Sequence, residues 1–148
     1  MTKVADRVFL DTNVLLAATD EGREEHNRAR AILNDWPADG IALYASGQVL
    51  REYLCLATRE VVDSGLGLAR ADAVANVVAF RDRISSLDEN EKVTSRLLDL
   101  LENIDCGGKQ AHDANVVATM LVHGVETLVT ANEAYFKRFA EHIRISPL

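Results

Sequence analysis

Asp11, Glu52 and Asp113 are the residues of this chain best placed by type and position to do chemistry. Asp11 follows at once on the apolar run Val8-Phe9-Leu10, at the carboxyl end of a candidate strand. Its plain structural reading is that Asp11 or Thr12 caps the next helix. Asp113 falls in the first turn of a candidate helix, where the positive end of the dipole favours a carboxylate with or without a ligand. Glu52 lies on the flank of an amphipathic helix, where a glutamate is ordinarily just solvated. Asn132 comes one residue beyond the run Leu128-Val129-Thr130 and reads as a turn residue, a substrate contact or a water-mediated partner of a metal. His112, beside Asp113, reads as a surface histidine before a ligand.

The combination says more than its members. Carboxylates brought together repel, and burying them unpaired is costly. A cluster at the end of a sheet therefore asks for cations. Oxygen ligands without a cysteine or histidine set favour Mg²⁺ or Mn²⁺ over Zn²⁺. Such ions activate water and stabilise the leaving oxygen of a phosphodiester.

The elements that must position these residues follow from the apolar pattern. Val8 to Leu10 and Ile41 to Tyr44 are continuous apolar runs, as expected of strands buried on both faces. Val14 to Ala18 starts a helix after the first strand, and Glu24 to Asp35 makes another that ends at Trp36-Pro37. Ser46 caps a long helix to about Arg59, with Val49, Leu50, Tyr53, Leu54 and Ala57 as its apolar stripe; Glu52 sits off that stripe beside Gln48 and Leu56. Helices are expected over 71–83, over 89–103 with Val93, Leu97, Leu98, Leu100 and Leu101 inward, and over 110–123, stopped by Gly124. Ile84 to Leu87 reads as a short edge strand, Thr127 to Thr130 and Ile143 to Ile145 as strands, and Glu133 to Ala140 as helical. Helices alternating with short apolar strands give an α/β layer around a mainly parallel sheet, with ligands beyond the carboxyl ends of its strands.

At 148 residues the chain fits a single domain, 1–148, and composition agrees with a soluble globular protein, with 48% apolar and 26% charged residues. A net charge of -7 argues against coating nucleic acid by bulk electrostatics. It leaves nucleic-acid chemistry open, because bound divalent ions reverse the field of an acidic site. Cys55 and Cys106 form no CxxC pattern, and reduced thiols of a cytoplasmic protein are the expectation over a disulfide. Met1 to Val8 lacks the apolar core of a signal peptide, and Val116 to Val122 is too short to span a bilayer.

Phe9-Leu10-Asp11-Thr12-Asn13-Val14-Leu15-Leu16 resembles the opening of a PIN domain. The likeness continues through Ala45-Ser46-Gly47-Gln48-Val49-Leu50-Arg51-Glu52-Tyr53, where that family carries a glutamate on a helix. It recurs at Ala111-His112-Asp113-Ala114-Asn115-Val116-Val117-Ala118, similar to the stretch with the family's third acid. It closes at Leu128-Val129-Thr130-Ala131-Asn132 with Phe136. No one of these motifs is specific, but four in series are. The resemblance implies a three-layer α/β/α fold.

Among PIN domains, a small acidic chain is most similar to the VapC toxins of bacterial toxin–antitoxin pairs. That likeness implies a Mg²⁺- or Mn²⁺-dependent endoribonuclease cutting tRNA or rRNA, a VapB-like antitoxin seated in its groove, and a homodimer. It implies Asp11 and Asp113 as the main metal ligands, with Glu52 completing the cluster directly or through water. Thr12 and Ser46 would be hydroxyls near the site, and a metal-activated water, oriented by Asp11 or Glu52, would attack phosphorus. Arg51, Lys109, Lys137 and Arg138 lie near the motifs as phosphate contacts or plain solvated charges. One departure matters: many members of the family carry a fourth acid where this chain has Asn132. Two other readings stay open, a degenerate PIN domain serving as a binding module and a phosphatase of the haloacid dehalogenase type. The phosphatase needs a second acid two residues after Asp11, where Asn13 stands.

Overall fold

Val8, Phe9 and Leu10 are fully buried, and the strand they form, β1 (Arg7–Leu10), has a neighbour on each side. An unbroken apolar run is what a strand covered on both faces requires. The computed structural model describes residues 5–148; residues 1–4, the start of the stretch read above for a leader, lie outside the described residues. β1 pairs in parallel with β2 (Ala42–Ser46), Phe9 opposite Tyr44, and with β4 (Thr127–Thr130), Leu10 opposite Val129. β3 (Ile84–Leu87) pairs with β2 and β5 (Arg144–Pro147) with β4, giving the order β3-β2-β1-β4-β5. Every pairing among the described residues is parallel, so the sheet is not merely mainly parallel.

The connections carry α1 (Thr12–Thr19) and α2 (His26–Asp35), α3 (Gly47–Thr58) and α4 (Arg70–Arg81), α5 (Glu91–Asn103) and α6 (Gln110–His123), and the single-turn α7 (Glu133–Phe136). Crossovers between parallel strands are right-handed. With this strand order, α1 to α4 fall on one face and α5 to α7 on the other. The packing agrees: α1 lies against α2 and α3, α3 against α4, and α5 against α6. The result is a three-layer α/β/α sandwich. The chain winds outward from β1 in both directions, so the switch point, where such sheets hold ligands, lies between the carboxyl ends of β1 and β4.

Helix α3 is fixed chiefly by Tyr53. Its ring is fully buried, edge-on to Phe80 of α4 with centroids 5.1 Å apart. Its hydroxyl lies 2.8 Å from Thr19 Oγ1 and accepts a 3.0 Å bond from Asn76 Nδ2. A buried phenol with both needs met locks the helix rotation. Glu52, one residue back, therefore sits about 100° around the helix, at the edge of the core.

Two expectations need correction. Leu98 does not face inward but is 56% exposed, while Val93 and Leu100 are buried. Val93, Leu97 and Leu100 already fill one helical face, and Leu98 lies a further 100° round. Ser46 does not cap α3 through its hydroxyl, which is buried without a hydrogen-bond partner among the described residues. The donor at the start of α3 is met from outside: Glu89 Oε2 accepts from the Gln48 amide at 2.8 Å. Gly47 makes room for this, since a Cβ there would stand 3.2 Å from the same Glu89 oxygen. Boundaries differ slightly elsewhere: α2 begins at His26, and the stretch after Glu133 is one α-turn continued by a 3₁₀ turn over Lys137–Phe139.

Candidate active site

Asp11 both caps α1 and faces the switch point. Its Oδ1 accepts from the Thr12 amide at 2.8 Å. Its Oδ2 accepts from Thr130 Oγ1 at 2.8 Å and from Asn13 Nδ2 at 3.2 Å. The register of β1 against β4 sets this up, because pairing Leu10 with Val129 brings Thr130 beside Asp11. Asn13 secures the far side, accepting from the Ala131 amide at 3.0 Å, and Thr130 Oγ1 takes the Asn132 amide at 3.0 Å.

Glu52 reaches the same place from α3. Its Oε2 accepts from Thr12 Oγ1 and its Oε1 from Gln48 Nε2, each at 3.0 Å. Asp113 arrives from the first turn of α6, and its carboxylate has no hydrogen-bond donor among the described residues. The three line one cleft of about 710 Å³ with Thr12 and Asn132.

The electrostatics match three crowded acids. Burial raises the Asp11 pKa, hydrogen bonds from Thr130 and Thr12 pull it back, and the charge of Glu52 raises it again. Asp113 is pushed up to about 6, first by burial, then by the negative charges of Asp11 and Glu52, with Arg138 and His112 opposing. Neither group is at its ordinary value, and like charge contributes to both.

The rest of the cleft separates the other candidates. Lys109, His112 and Asn132 line it; Arg51, Lys137 and Arg138 do not, and neither does Ser46. Arg138 Nη1 is held by Asp105 O at 3.0 Å and Gln110 Oε1 at 2.8 Å. Sequence reasoning missed Arg23, Arg59, Cys55 and Tyr135, which also line the cleft. Cys55 and Arg59 were within reach of it, at three and seven residues beyond Glu52 on the same helical face. A second hollow of about 470 Å³, near Met120 and His142 at the amino ends of β4 and β5, holds no comparable acid cluster. Cys55 and Cys106 are both free thiols, and no helix among the described residues is long and apolar enough to cross a membrane.

The donor set fits a hard divalent cation. It is all carboxylate oxygen, and it carries a repulsion that a cation would relieve. Among the described residues no group of three or more His, Cys, Asp or Glu side chains is drawn together closely enough to hold an ion as it stands.

No curated protein sequence matches the chain. Solved structures do. A chain in the crystal structure of VapBC2 from Rickettsia felis, bound to a DNA fragment from their promoter, superposes with a TM-score of 0.69 at 17% identity, covering 96% of this chain and 98% of that one. VapBC-1 from nontypeable Haemophilus influenzae gives 0.63 at 16%, covering 95% and 97%. Mycobacterium tuberculosis VapC20, described as a Sarcin-Ricin loop cleaving toxin, gives 0.58 at 24%, covering 82% and 86%. At these identities the likeness speaks for the fold. The family model for the PIN domain matches residues 8–142, a span that takes in β2, β3 and β4, most of β1 and every carboxylate of the cleft, and stops short of β5. On that match, the chain belongs to the PIN domain family.

Proposed function

We propose that this chain is a Mg²⁺- or Mn²⁺-dependent endoribonuclease of the VapC type, the toxin of a toxin–antitoxin pair. The observation that carries the reading is the meeting of Asp11, Glu52 and Asp113 in one cleft, with the Asp113 pKa raised to about 6 partly by its acidic neighbours. A scaffold gains nothing from three crowded carboxylates, whereas a cation would relieve their repulsion.

Asp11 and Asp113 would hold the ion, and Glu52 would join them directly or through water. Bound there, the ion supplies Lewis acidity that acidifies water and neutralises charge building on phosphodiester oxygens. The chain's own groups set the frame. Thr12 holds Glu52 Oε2 and Thr130 holds Asp11 Oδ2, so neither carboxylate swings into solvent. Asp113 sheds its proton above about pH 6 and is then free to accept. Either Asp11 or Glu52 takes a proton from attacking water. Arg59 and Lys109 put positive charge on the cleft walls for RNA phosphates, while Arg23 there is already paired with Asp20 at 3.3 Å.

RNA as substrate is supported by the Mycobacterium tuberculosis neighbour, named for cleaving the Sarcin-Ricin loop. A VapB-like antitoxin partner is supported by neighbours solved as VapBC and toxin–antitoxin complexes. We place a homodimer and a cytoplasmic setting in the same proposal. The chain as one PIN unit over its whole length belongs there too.

The test is incubation of the purified chain with total RNA and Mn²⁺, with mapping of the cut ends, and Asp11→Asn as control. Defined ends that vanish in the control support the reading; no cutting, or equal cutting by the control, overturns it. A binding module without catalysis is the second reading, favoured by Asn132 at the cleft in place of an acid. Partner binding with no cut in any RNA pool would select it. The phosphatase alternative finds no support in the geometry, because Asn13 is engaged with Asp11, Thr130 and the Ala131 amide.

A further inference from the structure

Gln48 is nearly buried, only 6% exposed, yet its side chain is polar and entirely engaged. Its Nε2 donates twice, to Glu52 Oε1 at 3.0 Å and to the His112 carbonyl at 2.9 Å. Its Oε1 accepts from Asn115 Nδ2 at 2.7 Å. The same Asn115 nitrogen donates to Glu89 Oε1 at 2.8 Å, and Glu89 Oε2 takes the Gln48 backbone amide at 2.8 Å. One amide group therefore ties a carboxylate on α3 to the residue that precedes Asp113 on α6.

The orientation of that amide is forced. Turned over, its oxygen would meet a carboxylate oxygen and a carbonyl oxygen, and its nitrogen would face the Asn115 amide nitrogen. Asn115 and Glu89, both outside the cleft, hold it the right way round. Gln48 itself is buried with its donors and acceptor all engaged, which holds its amide rigidly, while its anchor Glu89 is exposed.

We propose that Gln48 is a positioning residue for the proposed metal site, a strut that fixes the separation and orientation of Glu52 and Asp113, with Asn115 and Glu89 as its outer anchor. The inference rests on the proposed nuclease reading. The strut works against the repulsion between the two acids: without its two donors, Glu52 keeps only Thr12, and the first turn of α6 loses its tie to α3. Second-sphere partners of this kind tune metal affinity and activity by about 10- to 100-fold.

The experiment compares Gln48→Met, of similar length without donors, with the parental chain. Asn115→Ala serves as a second variant that leaves Gln48 in place should the first fail to fold. Mn²⁺ affinity is read by calorimetry, and RNA cleavage as kcat and KM separately. Both variants should bind Mn²⁺ more weakly, about tenfold or more for Gln48→Met, with kcat lowered and KM for RNA little changed. In a Glu52→Gln background the Gln48→Met effect on kcat should shrink to under about threefold, since groups acting as a unit are not additive. Parental Mn²⁺ affinity and kcat in folded variants, or an undiminished effect in the Glu52→Gln background, would overturn the strut while leaving the nuclease standing. A parental chain that neither binds Mn²⁺ nor cuts RNA removes the nuclease reading and the strut's role with it.

Discussion

Thr12 and Glu52 meet through a 3.0 Å hydrogen bond from the threonine hydroxyl to Glu52 Oε2, across 40 positions of sequence. Thr12 opens α1 at the end of β1, and Glu52 lies on the flank of α3. That bond joins the two halves of the site. It turns a glutamate that periodicity alone would leave in solvent into a member of the carboxylate cluster.

Asp113→Asn removes one of the repelling charges. RNA cleavage should fall by about 10²- to 10⁴-fold, the scale of losing a group that acts directly in proton or charge handling. The ion-free fold should become more stable at pH 7. Asp113 is half-exposed and screened, so the gain is discounted to roughly 1 kcal/mol, or about 2–4 °C in Tm for a domain of this size. Thermal melts in chelator decide it; a lower Tm would contradict the repulsion.

The pH dependence has a definite sign. An acid raised from 3.8 to about 6 binds more protons folded than unfolded between those values. The ion-free protein should therefore lose stability as pH climbs from about 4 to 6 and level off above. Mn²⁺ affinity should run the other way, weakening as pH falls below about 6 because the ion competes with a proton. Calorimetry between pH 5 and 8 on the parental chain and on Asp113→Asn separates the two. The variant should lose that step.

Thr130→Val keeps the shape of the side chain and takes away the 2.8 Å donor to Asp11 Oδ2. Since that bond pulls the Asp11 pKa down against burial, its loss should raise it further. Mn²⁺ binding should then need a higher pH, and the fold should lose about 1 kcal/mol. An unchanged pH profile would show that Asp11 does not depend on the threonine.

Arg59→Ala and Lys109→Ala test the cleft walls. Each should raise KM for RNA with little change in kcat, and each should reduce the slope of log affinity against log salt by about 0.7, the value for one phosphate contact on a single strand. A salt slope equal to the parental one would remove that residue from the RNA path.

Much of this was legible from residue type and order. Every strand and helix fell near its expected place because the apolar runs of β1, β2 and β4 have no polar interruption. Asp11 was legible for the same reason, as the first polar group after a buried strand. Glu52 was harder to read: helical spacing puts Gln48 beside it, but its partner Thr12 becomes visible only once α3 is docked by Tyr53. Ser46 shows the opposite limit. Its type predicts a cap, but Glu89, 41 positions away from Gln48, takes the task, and no local pattern announces a tertiary cap. Leu98 failed because a leucine-rich helix offers more apolar positions than one face can bury.

Helix α6 is gripped at both ends. Gln48 holds the carbonyl of His112 near its start, and Arg7 donates to the carbonyls of Gly124 and His123 at 3.0 and 3.3 Å at its finish. The span between those grips works as a gauge of fixed length. Inserting or deleting one residue within 114–122 would wind the leading end about 100° out of phase, aiming Asp113 away from its companions even if every remaining side chain were preserved. Natural variation in this stretch should therefore conserve the number of its residues even where their types change.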